Sequence, residues 1–183
     1  MRNQTPKKRI LLRGAAAALA LCMVLGFTAC GKKKAPAAIR VDLSGRVYTL
    51  DPQYCSTALE RCLLKNCMEG LLRRLPDGTM AEGCAENYSV SADGLRYTFT
   101  LRENLQWSDG EPLTAKDFVF AFRRLFRAET NSPYAVEFAA LENSAAVLAG
   151  QMPESALGVT ASGPLTLVFH LSSADDNFLE KLT

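Results

Sequence analysis

The clearest hydrophobic pattern in the chain lies at Leu95–Arg102, where Leu95, Tyr97, Phe99 and Leu101 alternate with Arg96, Thr98, Thr100 and Arg102. A period of two places each set on its own face, so the segment predicts a half-buried strand. Tyr88-Ser89-Val90 lies before it across Asp93-Gly94, a dipeptide suited to a tight turn, and the two runs predict a hairpin. After a second turn at Ser108-Asp109-Gly110 the period becomes helical, with Phe118, Phe122, Leu125 and Phe126 on one stripe. Thr114 opens this helix, and Asp117 three residues later makes a short variant of the capping box. Arg123, Arg124 and Arg127 near its far end suit the negative pole of the macrodipole. The phenylalanines read as core rather than as a ring-stacking surface.

Weaker patterns flank this region. Ile39–Leu43 and Arg46–Leu50 predict strands on either side of Ser44-Gly45, the second ended by Asp51-Pro52. Ser56 predicts the cap of a helix beginning near Thr57, with Leu59, Leu63, Cys67 and Leu71 on one face. Pro76-Asp77-Gly78 predicts a turn, with Pro fixing φ and Gly free to take positive φ. Farther on, a helix is expected near Val136–Leu148, a strand at Leu165–Leu171 and the start of another helix at Asp175–Leu182. These elements give an α+β body without internal repeats.

The first 30 residues follow another logic. Arg2, Lys7, Lys8, Arg9 and Arg13 form a basic segment without an acid, and Gly14 to Phe27 is an uncharged apolar run. That run is shorter than the roughly 20 residues a stable membrane span needs, and it reads as the apolar region of an export signal rather than as an anchor. Phe27-Thr28-Ala29-Cys30 resembles the lipobox of bacterial lipoproteins, with Phe27 where Leu is usual. The resemblance implies that the Cys30 thiol is acylated and becomes the first mature residue. Two or three acyl chains anchor stably where one holds only marginally. Residues 1–29 are thus expected to be a signal peptide and 30–38 a tether, with Lys32, Lys33 and Lys34 near anionic lipid heads. The protein would sit on the outer face of the bacterial cell membrane.

Composition changes this picture little. With 48% hydrophobic and 22% charged residues the chain is of ordinary globular type. The formal net charge of +2 is set by the N-terminus, because removing its five cations leaves 16 basic residues against 19 acidic. The body therefore lacks the basic footprint of a nucleic-acid binder. Catalysis finds no constellation either: the one histidine, His170, lies in an expected strand, and Asp175-Asp176 reads as a helix start. No metal or other cofactor is expected. Of the six cysteines, Cys55, Cys62, Cys67 and Cys84 fall in the body, where they could form two disulfides or remain reduced.

Function enters through a resemblance. Thr49-Leu50-Asp51-Pro52, Glu69-Gly70-Leu71-Leu72, Pro76-Asp77-Gly78, Ala85-Glu86-Asn87-Tyr88, Asp93-Gly94 through Arg102, and Trp107-Ser108-Asp109-Gly110 through Val119 resemble, in order and spacing, the extracellular solute-binding proteins of oligopeptide and dipeptide ABC importers. Ser132-Pro133-Tyr134-Ala135 resembles the oligopeptide-binding branch. Departures stand at Gly83-Cys84 and at Tyr88, where the family favours Pro-Ala or Pro-Leu and Trp.

The resemblance implies a two-lobed periplasmic-binding-protein-like II fold of class C. Residues 39–70 would be the start of lobe I, and 71–183 most of a small inserted domain, truncated at its C-terminus. It also implies capture of an oligopeptide by a monomer that delivers it to ABC permease and ATPase subunits. Ligand contacts are implied at Glu60-Arg61-Cys62 and at Tyr134, with Arg61 and Cys62 departing from the family's small polar residues. Within the same family the ligand could be a dipeptide, nickel or haem; a lipid-anchored sensing or adhesive receptor is the alternative of another class.

Overall fold

A computed structural model describes Arg40, Asp42 and residues 44–183 of the chain. The signal segment, Cys30, the tether and most of the strand expected at 39–43 lie outside the described residues.

The strand with the strictest alternation, Arg96–Leu101, lies inside the larger sheet. Strands β1 (Leu72–Arg74) and β2 (Met80–Glu82) form a two-stranded ribbon around the Pro76–Gly78 turn. Strands β3 (Ala85–Val90), β4 (Arg96–Leu101), β5 (Val159–Ala161) and β6 (Thr166–His170) form an antiparallel sheet in the order β3-β4-β6-β5. In β4 the apolar set Tyr97, Phe99 and Leu101 is buried, as period two requires. β6 inserts beside β4 with Phe99 opposite Leu167, although 68 positions of sequence separate them.

Among the described residues three α-helices accompany the sheets: α1 (Ala58–Cys67), α2 (Ala115–Leu125) and α3 (Ser144–Leu148). Helix α2 packs on β5 and β6 and begins where expected, with the Thr114 N–H donating to Asp117 Oδ2 at 2.7 Å. Its inward residues are Ala115, Val119 and Leu125, with Phe118 and Phe122 half-buried beside them. The rings of Phe122, Phe138, Phe169 and Phe178 meet edge to face beneath the sheet at centroid distances of 4.9 to 6.4 Å. Burying each such ring contributes about 2–3 kcal/mol.

Several expected elements differ. Arg46–Leu50 forms no strand and pairs with none among the described residues, because the Tyr48 and Thr49 N–H groups are taken by the Glu60 side chain. The cap of α1 is Thr57 rather than Ser56, and its buried residues are Glu60 and Leu64 rather than the Leu59–Cys67 stripe. The single helix expected at 136–148 is divided into a 3-10 turn at Ala135–Phe138 and α3. Between them Leu141 bridges Leu171, the Glu142 N–H donates to the His170 carbonyl, and Asn143 takes φ +62. Near the C-terminus a run of turns and a 3-10 helix at Glu180–Leu182 replace an α-helix, with Phe178 wedged against Tyr97 and Phe169.

One glycine is fixed by close approach. A Cβ on Gly158 would lie 2.3 Å from the His170 carbonyl oxygen and 2.8 Å from Glu142 Cβ. At this point β5, β6 and the 140–142 segment share backbone hydrogen bonds, so no side chain fits.

Candidate functional site

The segment Tyr48–Thr57 has little regular structure, yet it is held from two sides. From α1, Glu60 reaches back beneath it. Glu60 Oε1 accepts from the N–H groups of Tyr48 (2.8 Å) and Thr49 (3.1 Å), and Oε2 from those of Ser56 (3.0 Å) and Thr57 (3.1 Å). The residue is 0% exposed. N–H donation from Thr57 and Tyr48, with lesser help from Ser56 and Thr49, outweighs desolvation and brings its carboxyl down to about 2. The Thr57 contact is also half of a capping box, completed by Glu60 N–H donating to Thr57 Oγ1 at 3.2 Å. One side chain thereby caps α1 and folds the two ends of the segment together.

From the other side, the segment docks on the end of α2 and on the loop after it. Asp51 receives both terminal nitrogens of Arg124, at 3.0 and 2.5 Å, and this ion pair holds its carboxyl below the usual range. Gln53 Nε2 donates to the Ala121 carbonyl at 2.8 Å, and Ser132 Oγ donates to the Gln53 carbonyl at 2.7 Å. The Tyr54 hydroxyl donates to the Thr130 carbonyl at 2.5 Å, and the Tyr134 hydroxyl to the Cys55 carbonyl. Gln53 Oε1 is buried without a donor among the described residues.

Of the residues expected to meet a ligand, Tyr134 and Glu60 therefore both bind the backbone of the Tyr48–Thr57 segment. Arg61 is exposed and donates from Nη1 to the Ser56 carbonyl at 3.0 Å. Cys62 is exposed one residue farther along α1, and its carbonyl accepts from Asn66 Nδ2 at 2.8 Å. Tyr48 and Leu50 turn outward at 73% and 57% exposure. Pro52 borders two concavities: one of about 370 Å³ lined by Gln53, Phe122, Leu125, Tyr134 and Phe138, and one of about 530 Å³ lined by Leu64, Met68, Gly70 and Leu72. The clamp residues Asp51, Gln53, Arg124 and Ser132 escape a reading from pattern alone, since their partners lie 68 to 79 positions away.

No group of three or more His, Cys, Asp or Glu side chains poised for a metal occurs among the described residues. Cys55 and Cys84 are buried thiols, Cys62 and Cys67 exposed ones, and all four are free. The arrangement rigidifies a backbone segment and leaves aromatic and cationic side chains at its surface.

Known proteins share this arrangement of chain. Residues 79–183 match the family model described as Bacterial extracellular solute-binding proteins, family 5 Middle. The Probable deoxycholate-binding periplasmic protein YgiS of Escherichia coli (strain K12) is 39% identical over 121 residues, 65% of this chain and 23% of that one. A dipeptide-binding protein of Lactococcus lactis subsp. cremoris is 33% identical over 155 residues, 84% of this chain and 28% of its own. The crystal structure of Haemophilus influenzae OppA in complex with RPPGFSPFR superposes with a TM-score of 0.70 at 31% identity, covering 74% of this chain and 27% of that one. The chain thus spans about a quarter of the length of the curated relatives it matches. That agreement in sequence and in backbone course makes this chain a member of the family 5 extracellular solute-binding proteins, and its α+β body a segment of their two-lobed periplasmic-binding-protein-like fold.

Proposed function

We propose that this chain is part of the substrate-binding lipoprotein of a peptide ABC importer, capturing oligopeptides outside the cell and handing them to a membrane permease. The observation that carries this reading is the backbone agreement with OppA solved around a peptide, at 31% identity over 74% of this chain. In this reading residues 39–70 begin lobe I and 71–183 form most of the small inserted domain. The ligand is held by main-chain hydrogen bonds with roomy pockets for its side chains, which gives affinity with wide sequence tolerance. Tyr134, Arg61 and Cys62 line the ligand side. Glu60 acts beneath them, because its carboxylate is already filled by the backbone of the segment it supports.

A chimera tests the ligand class. Residues 44–183 replace the matching segment of Haemophilus influenzae OppA, and RPPGFSPFR and deoxycholate are titrated by calorimetry. Saturable peptide binding supports the reading. A folded chimera that binds deoxycholate and not peptide sinks it in favour of the chemistry in the name of the Escherichia coli relative.

Anchoring is part of the same proposal. The apolar run to Phe27 and the Ala29-Cys30 junction support export followed by acylation of Cys30. Growth with labelled palmitate should mark the wild-type protein and leave the Cys30→Ser variant unlabelled; label persisting in the variant refutes the anchor.

A further inference from the structure

Three arginines crowd the end of α2, and their surroundings differ. Arg124 is answered by Asp51, and its guanidinium lies 6.0 Å from the centre of the Tyr54 ring. Arg127 donates from Nε to Glu154 Oε1 at 2.6 Å and lies 5.6 Å from the centre of the Phe120 ring. Arg123 has neither kind of partner among the described residues: its Nε is buried without an acceptor, and it forms no ion pair. A buried donor left unmet costs its desolvation with no return, and more so when it belongs to a charged group.

Arg123 borders open space rather than closed core. It lines a concavity of about 540 Å³ between the end of α2, α3 and the Gly150–Ser155 loop. Phe126, Val147, Met152 and Pro153 supply apolar wall, and Glu129 and Glu154 also border it. A volume of this order suits a small ligand.

We propose that this concavity is a binding site for a small monocarboxylate with an apolar body, its carboxylate taken by Arg123 and its body by Met152 and Pro153. The planar fork of a guanidinium matches a carboxylate in geometry as well as charge. Arg127 is already neutralised by Glu154, and Glu129 adds a further negative charge, so the site favours a monoanion over a dianion such as phosphate. The apolar walls select an aliphatic or aromatic body over a sugar. The site shares no residue with the Tyr48–Thr57 segment and stands whether or not the peptide reading does.

The arginine Nε–Hε resonances of the isotope-labelled 183-residue chain report directly on the group in question. Sodium butyrate and sodium phenylacetate are titrated against butyramide and sodium phosphate at matched ionic strength. The Arg123 signal should shift saturably with the two carboxylates only, while that of Arg124, which does not border the concavity, holds its position. Arg123→Gln should weaken binding about tenfold or more, read from ligand line-broadening. Met152→Trp, a change at a half-exposed wall position, should block entry while keeping the arginine. Absence of a saturable shift, an equal response to phosphate or butyramide, or unchanged affinity in either folded variant overturns the proposal.

Discussion

The guanidinium of Arg124 grips both carboxylate oxygens of Asp51 across 73 residues of chain, at 3.0 and 2.5 Å. It joins the far end of α2 to the segment that precedes α1, with Gln53, Tyr54 and Tyr134 adding backbone contacts on either side. The pair is partly solvent-screened, so its removal is expected to cost only about 1 kcal/mol. Because the Asp51 carboxyl is lowered in the folded protein, the pair stabilises fully above the unfolded value of about 3.9 and is lost as pH falls through the folded value. Thermal unfolding from pH 6 to pH 2 should show a smaller acid loss in Arg124→Met than in the wild type. Parallel curves would contradict the assignment.

Glu60 should matter more to order than to charge. Glu60→Gln keeps the shape but turns an N–H donor toward two backbone N–H groups, so amide exchange at Tyr48, Thr49, Ser56 and Thr57 should accelerate while that of β4 is unchanged. Its contribution is present in full above about 4.3, the unfolded value, and disappears as pH approaches 2. Protection that survives the substitution would show the four bonds to be dispensable.

Gly158→Ala places a methyl group 2.3 Å from the His170 carbonyl oxygen, which accepts from the Glu142 N–H. Strand separation or a shift of the 140–142 segment must follow, at a cost of about 1–3 kcal/mol. Urea unfolding should read this as a lowered midpoint with an unchanged slope. A midpoint equal to wild type would mean the crossing accommodates a methyl group.

The four body thiols should separate into two classes. Cys62 and Cys67 are exposed and should react promptly with a chromogenic disulfide at neutral pH. Cys55 and Cys84 are buried, and for Cys84 desolvation, reinforced by Glu69, also raises the thiol's ordinary value, so both should react only on unfolding. Fewer than four reactive thiols in denaturant, under nonreducing conditions, would reveal a disulfide.

Local chemistry decided what could be foreseen from the chain alone. The Tyr88–Leu101 hairpin and α2 are legible because a turn dipeptide, a period of two and a capped apolar stripe each act within a few residues. The family is legible for a related reason: its motifs at Thr49–Pro52 and Trp107–Val119 combine turns, caps and core positions in fixed order. The tertiary structure alone decided where side chains meet over long separations. Glu60 looks like an ordinary helix carboxylate until the returning Tyr48–Thr57 backbone surrounds it with N–H groups and removes it from water. The helix expected at 136–148 yields at Leu141 because pairing with Leu171 satisfies backbone groups that a continuous helix would have satisfied internally. Arg123, Arg124 and Arg127 are alike in residue type and lie within five residues of one another at the end of α2. Only the packing of Asp51 and Glu154 against two of them, and of an open apolar hollow against the third, gives them different chemistry.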